Sequence, residues 1–417
     1  MYLYIEEESD LGYDEYVIKD TSDGSYETYT KEELLQEMSS GVKFIGLPFS
    51  GKQANLNKAK AAENDEFYTQ MSDIEAELKN YDPDIFKDKV IYLPADVALQ
   101  GGRFPVSEFV NYFKNNAETL DFKELIASCL LDHVEQSPEG YNCYSYKRTT
   151  EGYKSTFSHL EPDLLHQSGD FRSKECTEIL KKADIVVTNP PFSLFREFIA
   201  WLKQDDGSLK PCIIVSNKNA ITYKEVFPLI RDDNLWVGST SLNGGRWMIL
   251  PPDHVVESSK VSIKTDSRGN RIQNVAGVCW FTNLPHSRRA ENMLLTERYY
   301  EEDGTTPLPD AELRYPKYDN YDAINVDKVN QIPRDYYGVM GVPITFLDKY
   351  NPDQFEIIGG FNAHTCPHED GGYVPSTTTE YYDKNGNIKR WNGPTVNKKT
   401  TYYRICIRRK QPKIQSE

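Results

Sequence analysis

Apolar runs of four to seven residues recur from about residue 88, separated by stretches whose apolar positions fall three to four residues apart. KVIYL, ELIASCL, ADIVVT and PCIIVS have strand length, whereas SEFVNYFKNN, SKECTEILKK and LFREFIAWLKQ carry helical spacing. Strands alternating with helices predict an α/β fold, a parallel sheet with helices on both faces. Ligands of such sheets sit beyond the carboxyl ends of the strands, here the loops after Thr188 and Ser216.

Both ends of the chain depart from this texture. In the first 50 residues, EYVIKD and SYETYT flank a Ser-Asp-Gly turn and predict a hairpin. A helix capped by Thr30 is expected over KEELLQEMSS, closed by Gly41 before the strand VKFIGL, giving a small α+β module. After about residue 285 regular patterning stops: 300–335 is rich in Pro, Asp, Tyr and Asn, and 360–400 in Gly, Thr, Asn and Tyr. Such an irregular region suits the reading of a partner. Three units follow: an acidic accessory module (1–50), a catalytic domain (55–285) and a C-terminal region (286–417).

A length of 417 residues supplies ample core for two to three domains, and no apolar run approaches the roughly 20 residues of a membrane span. The acidic start, MYLYIEEESD, is the opposite of a basic signal peptide, and seven scattered cysteines read as reduced thiols, so a cytoplasmic protein is expected. The net charge of −16 is unevenly spread. Residues 1–50 hold twelve acids against three bases (−9), and 384–417 hold ten bases against one acid (+9). The acidic sum therefore does not exclude nucleic acid.

The stretch ADIVVTNPPFSLFREF carries the chemistry. A buried strand delivers Asn189-Pro190-Pro191-Phe192 to its carboxyl end and a helix follows; by chance the tetrapeptide would occur in about one chain in a few hundred of this length. The plain alternative is a rigid Pro-Pro turn. An exocyclic amine on an aromatic ring is a poor nucleophile because its lone pair is delocalised. Two acceptors on its N–H groups, the Asn189 side-chain oxygen and the Pro190 carbonyl, can orient it, with prolines stiffening the carbonyl and Phe192 offering a stacking face. A base so held must first leave its helix.

Together with DEFYTQ (65–70), LIASC (125–129), SGDFRS (168–173), ITYKEVF (221–227), YPKYDNYDAINV (315–326) and GVMGVPITFLDKYNP (339–352), this stretch resembles the EcoRI-type adenine-N6 DNA methyltransferases. That resemblance implies a Rossmann-like class I methyltransferase sheet, S-adenosylmethionine as methyl donor, double-stranded DNA as partner, and a target-recognition role for the C-terminal region. It also implies a possible cognate restriction endonuclease, or solitary epigenetic or phage-protective modification. Asn189, Pro190, Pro191 and Phe192 then form the catalytic motif. Asp170 meets the adenine ring of the cofactor, and Tyr68 and Thr69 approach its methionine end. Asp96 is the first-strand carboxylate, and Asp132 holds the ribose hydroxyls unless both are solvated loop acids. The expected glycine-rich turn is missing: PADVALQGGRFP stands after the first strand, with Gly101 and Gly102 late in it.

Trp247 is either the second wall of the base pocket or core packing. Lys317, Tyr318, Asn320 and Tyr321 either reach DNA or form an ordered loop. Arg404, Arg408 and Arg409 in the basic tail read as a phosphate clamp. GLPFSGKQ (46–53) falls one residue short of a phosphate-binding loop and has Gln53 where the metal-binding hydroxyl belongs. His364, Cys366 and His368 lack zinc spacing, so no metal is expected. Rival readings are methylation of another amine (cytosine N4, RNA adenine, protein glutamine) or a silent DNA-binding decoy.

Overall fold

The computed structural model describes residues 2–7, 15–20, 26–30, 43–45, 67–98, 106–134, 140–251, 262–361, 379–382, 388–391 and 393–411. The expected amino-terminal hairpin forms, with Glu15–Asp20 antiparallel to Tyr26–Thr30. Tyr2–Glu7 and Lys43–Ile45 extend it to a four-stranded sheet. The helix expected after Thr30, the GLPFSGKQ stretch, Gly101, Gly102 and the His364–Cys366–His368 group lie outside the described residues.

The central sheet has eight strands: β1 (Val90–Pro94), β2 (Glu124–Ser128), β3 (Cys143–Thr149), β4 (Gly152–Ser158), β5 (Ile185–Thr188), β6 (Cys212–Asn217), β7 (Trp236–Val237) and β8 (Val278–Thr282). Their order is β7-β8-β6-β5-β1-β2-β3-β4. The four inner strands β6-β5-β1-β2 are parallel, as their apolar runs predict. The outer strands correct the all-parallel expectation, because β3–β4 and β7–β8 are antiparallel. Strand β4 lies mostly exposed at the edge, so its polar sequence GYKSTFS carries no buried-strand signal.

Period-two alternation divides the core between the two faces of the sheet. Ile91, Leu93, Ile185, Val187, Ile213 and Val215 pack against α1 (Met71–Leu78) and α2 (Glu108–Asn115). Tyr92, Val186, Cys212 and Ile214 pack on the opposite face against α3 (Lys174–Lys182), α4 (Phe195–Trp201) and α5 (Phe227–Arg231). Ser107 starts α2 by accepting from Phe109 N at 3.2 Å, and Ser173 starts α3 by accepting from Cys176 N at 3.2 Å.

The C-terminal region is more ordered than its composition suggests. Strands β9 (Ile324–Asn325), β10 (Met340–Pro343), β11 (Phe355–Gly360) and β12 (Arg404–Arg409) form a sheet of order β9-β10-β12-β11. Its Met340, Ile405 and Ile407 share one apolar cluster with Phe195 and Phe281 of the central domain. A further antiparallel sheet joins Tyr68–Thr69 to Gly245–Ile249 and to the hairpin Ile263–Thr265/Arg271–Ala276. Among the described residues no helix is long and apolar enough to cross a membrane.

Candidate active site

The chain runs from β1 to β2 on one side of the sheet and from β5 to β6 on the other, so a crevice opens at the carboxyl ends of β1 and β5. Strand β5 stops at Thr188 because Pro190 and Pro191 cannot donate to a ladder, and the chain re-enters helix at Phe192. Asn189 stands at this break. Its Nδ2 donates to the Phe67 carbonyl, which orients the amide and leaves Oδ1 buried with no hydrogen-bond partner. The Phe192 ring lies 6.2 Å from that of Phe67.

Two clefts meet at Tyr68, Ala95 and Asn189. The larger, about 560 Å³, is walled by Leu130, His133, Gly169, Asp170, Phe171 and Pro191. Gly169 has φ +82°, and a Cβ there would overlap the Cys129 carbonyl, so the SGD turn demands glycine. Burial alone would raise the Asp170 carboxyl, but bonds from Arg172 Nε (3.0 Å), Nη2 (2.7 Å) and N (2.9 Å) hold it below the usual range. Arg172 also donates to Glu197 Oε2 at 2.5 Å. Asp132 lies in the turn Leu131–His133 after β2, and its side chain is outside the described residues.

The smaller cleft, about 420 Å³, is lined by Thr69, Asp96, Ser107, Glu108, Ile249 and Asn270 among others. Asp96 is 5% exposed; one oxygen accepts from Ser107 and the other from Thr188 Oγ1 at 2.7 Å. Burial drives its carboxyl up to about 7 against the opposing pull of these two hydroxyls. Ala95, next to it, has φ +66°, the left-handed conformation that glycine adopts freely.

The proposed DNA-facing residues separate. Lys317 is exposed, 3.7 Å from Asp322. Tyr318 is corrected to a core residue. It is 5% exposed, its hydroxyl donates to Asn325 Oδ1 at 2.7 Å, and its ring fills space that only Gly341 leaves on β10. Asn320 spends its amide on the Gly393 carbonyl (2.9 Å) and Thr395 N (3.2 Å), and Tyr321 packs edge-on to Phe361 at 5.0 Å. Arg404 is half-buried in β12 beside Asn325 and 3.5 Å from Asp327, so part of its charge is answered within the chain. Arg408 lies 3.7 Å from Glu356, and Arg409 stacks 5.1 Å over Tyr337, both still partly exposed. Trp247 is half-buried, lines neither of the two clefts, and carries Lys264 Nζ 4.3 Å over its ring.

Residues 55–410 match the model of a family described as adenine-specific methyltransferase EcoRI. The chain belongs to this family. Type II methyltransferase M.EcoRI from Escherichia coli is 44% identical over 307 residues, which is 73% of this chain and 88% of the relative. Type II methyltransferase M.MgeORF184P from Mycoplasma genitalium is 33% identical over 86% of this chain and 99% of its own length. M.MpnI from Mycoplasma pneumoniae is 32% identical over 85% and 98%. No solved structure matches significantly.

Within this adenine-specific methyltransferase, sequence reasoning missed Phe67, which orients Asn189, and Arg172, which holds Asp170. Arg172 had a signal, a base two residues after an acid in SGDFRS; Phe67 acts through its carbonyl and had none. Among the described residues, no group of three or more His, Cys, Asp or Glu side chains is placed to hold a metal.

Proposed function

We propose that this chain is a site-specific DNA adenine-N6 methyltransferase that moves a methyl group directly from S-adenosylmethionine to an adenine flipped out of duplex DNA. The observation that carries the reading is Asn189 Oδ1, a buried acceptor without a partner at the junction of two clefts. Such an atom calls for an N–H donor from a ligand. An adenine amine supplies one, and the neighbouring Pro190 carbonyl takes the second hydrogen, so the lone pair faces the incoming methyl group.

The larger cleft fits the adenosine part of the donor: its walls are mainly apolar, and anionic Asp170 presents an acceptor to a ring amine. Bound there, the donor supplies a methyl group activated by a sulfonium. The strand order around β1 supports a Rossmann-like class I sheet, with Tyr68, Thr69 and Asp96 near the cofactor and Phe192 as the stacking face. Residues 286–417 would read the target, with Lys317, Arg408 and Arg409 among the cations at least partly exposed there, and residues 1–50 would be accessory. The relatives are named type II methyltransferases, and for this chain we carry over protection of DNA, with or without a cognate endonuclease.

Mass spectrometry of nucleosides from unmethylated duplex DNA incubated with protein and S-adenosylmethionine tests this directly. N6-methyladenine should appear with the wild type and fall by about 10²- to 10³-fold with Asn189→Ala. Another methylated base, or none on DNA of varied sequence, would overturn the reading.

A further inference from the structure

The smaller cleft holds more unanswered polar atoms than the proposed transfer uses. Besides Asn189 Oδ1, the hydroxyl of Thr69 and Glu108 Oε2 are buried without hydrogen-bond partners. Glu108 is the most unusual of these. Its side chain is only 10% exposed and lines the cleft, and Arg268 Nη1 donates to Oε1 at 2.5 Å, leaving the second oxygen buried without a partner. Arg268 belongs to the turn of the hairpin Ile263–Thr265/Arg271–Ala276, whose Asn270 also lines the cleft. A carboxylate oxygen buried without a hydrogen-bond partner is costly unless a donor meets it.

Resting on the methyl-donor reading above, we propose that Glu108 Oε2 binds the α-ammonium of the donor's amino-acid end. The walls carry the polar groups an amino acid needs. Two carboxylates (Asp96, Glu108), two amides (Asn189, Asn270) and the hydroxyl residues Tyr68, Thr69 and Ser107 line this cleft, beside the rings of Tyr68 and Phe109. The same cleft contains the amino end of α2, an eight-residue helix whose dipole favours the α-carboxylate nearby. Both clefts share Ala95 and Asn189, so a ligand with its adenosine in the larger one can pass its other end into the smaller. Glu108 is thus a binding residue held in aim by Arg268.

Calorimetry on the full chain with three probes tests the assignment. S-adenosylhomocysteine carries ammonium and carboxylate, decarboxylated S-adenosylmethionine carries only the ammonium, and 5′-methylthioadenosine carries neither. Glu108→Gln, which keeps the shape and an acceptor for Arg268, should weaken the first two by about 10- to 100-fold. The third should change by less than about 3-fold, which also shows that the variant is folded. Glu108→Asp, with the charge kept but the reach shortened, should give an intermediate loss for the first two probes. Parallel loss of all three probes, no change in any, or loss confined to S-adenosylhomocysteine would overturn the proposal. If the wild type binds none of them, the methyl-donor reading fails and the proposal falls with it.

Discussion

Asp96→Asn should stabilise the protein at alkaline pH and leave it nearly unchanged near pH 4. The carboxyl is 5% exposed and receives two hydroxyl hydrogen bonds, yet burial dominates and lifts it to about 7. In the unfolded chain the same group ionises near the ordinary value of about 3.9. Between these values the unfolded state has released its proton while the folded state keeps it. An acid raised in this way loses stability as pH climbs from about 4 to about 7, with no further change above. At about 1.4 kcal/mol per pH unit, the loss across that window is roughly 4 kcal/mol. Asparagine mimics the protonated carboxyl, accepting through its oxygen and donating through its amide, but does not titrate. Urea unfolding of both proteins at about pH 4.5, 6 and 8 measures the difference through the midpoints. The advantage of the variant should grow with pH and level off above about pH 7. A difference that stays constant over this range would refute a raised Asp96.

Gly169→Ala would place a Cβ against the Cys129 carbonyl at φ +82°, so a destabilisation above about 2 kcal/mol is expected by thermal melting. Asp170→Asn removes a carboxylate that Arg172 holds anionic; affinity for S-adenosylhomocysteine by calorimetry should fall about 10-fold or more, and an unchanged value would move the adenosine elsewhere. Tyr318→Phe deletes a buried hydroxyl bonded to Asn325 and should cost about 1–2 kcal/mol in denaturant melts, while the salt dependence of DNA binding stays as in the wild type. Deleting residues 408–417 tests the tail, since the loss of Arg408 and Arg409 should flatten that salt dependence.

What could be read from the chain, and what could not, follows from the range of the forces involved. The inner strands were legible because burial on both faces forces continuous apolar runs, as in IVVT and CIIVSN. The NPPF break was legible because two prolines end a ladder wherever they stand. Strand β4 and the hairpin Ile263–Thr265/Arg271–Ala276 were not, since exposed ribbons need no apolar pattern and are held by backbone ladders that polar side chains tolerate. The same limit governs the site. Residue types marked Asn189 and Asp170 as candidates, but the atoms that aim them, the Phe67 carbonyl 122 residues away and the Arg172 fork, emerge only on folding. Tyr318 shows the converse error. An aromatic-rich loop looks like a DNA surface until the ring of Tyr318 is buried against β10, where Gly341 vacates the volume that it fills. Composition counts charges and rings, whereas the fold decides which polar atoms stay unanswered, and among the described residues of this crevice these include Asn189 Oδ1, the Thr69 hydroxyl and Glu108 Oε2.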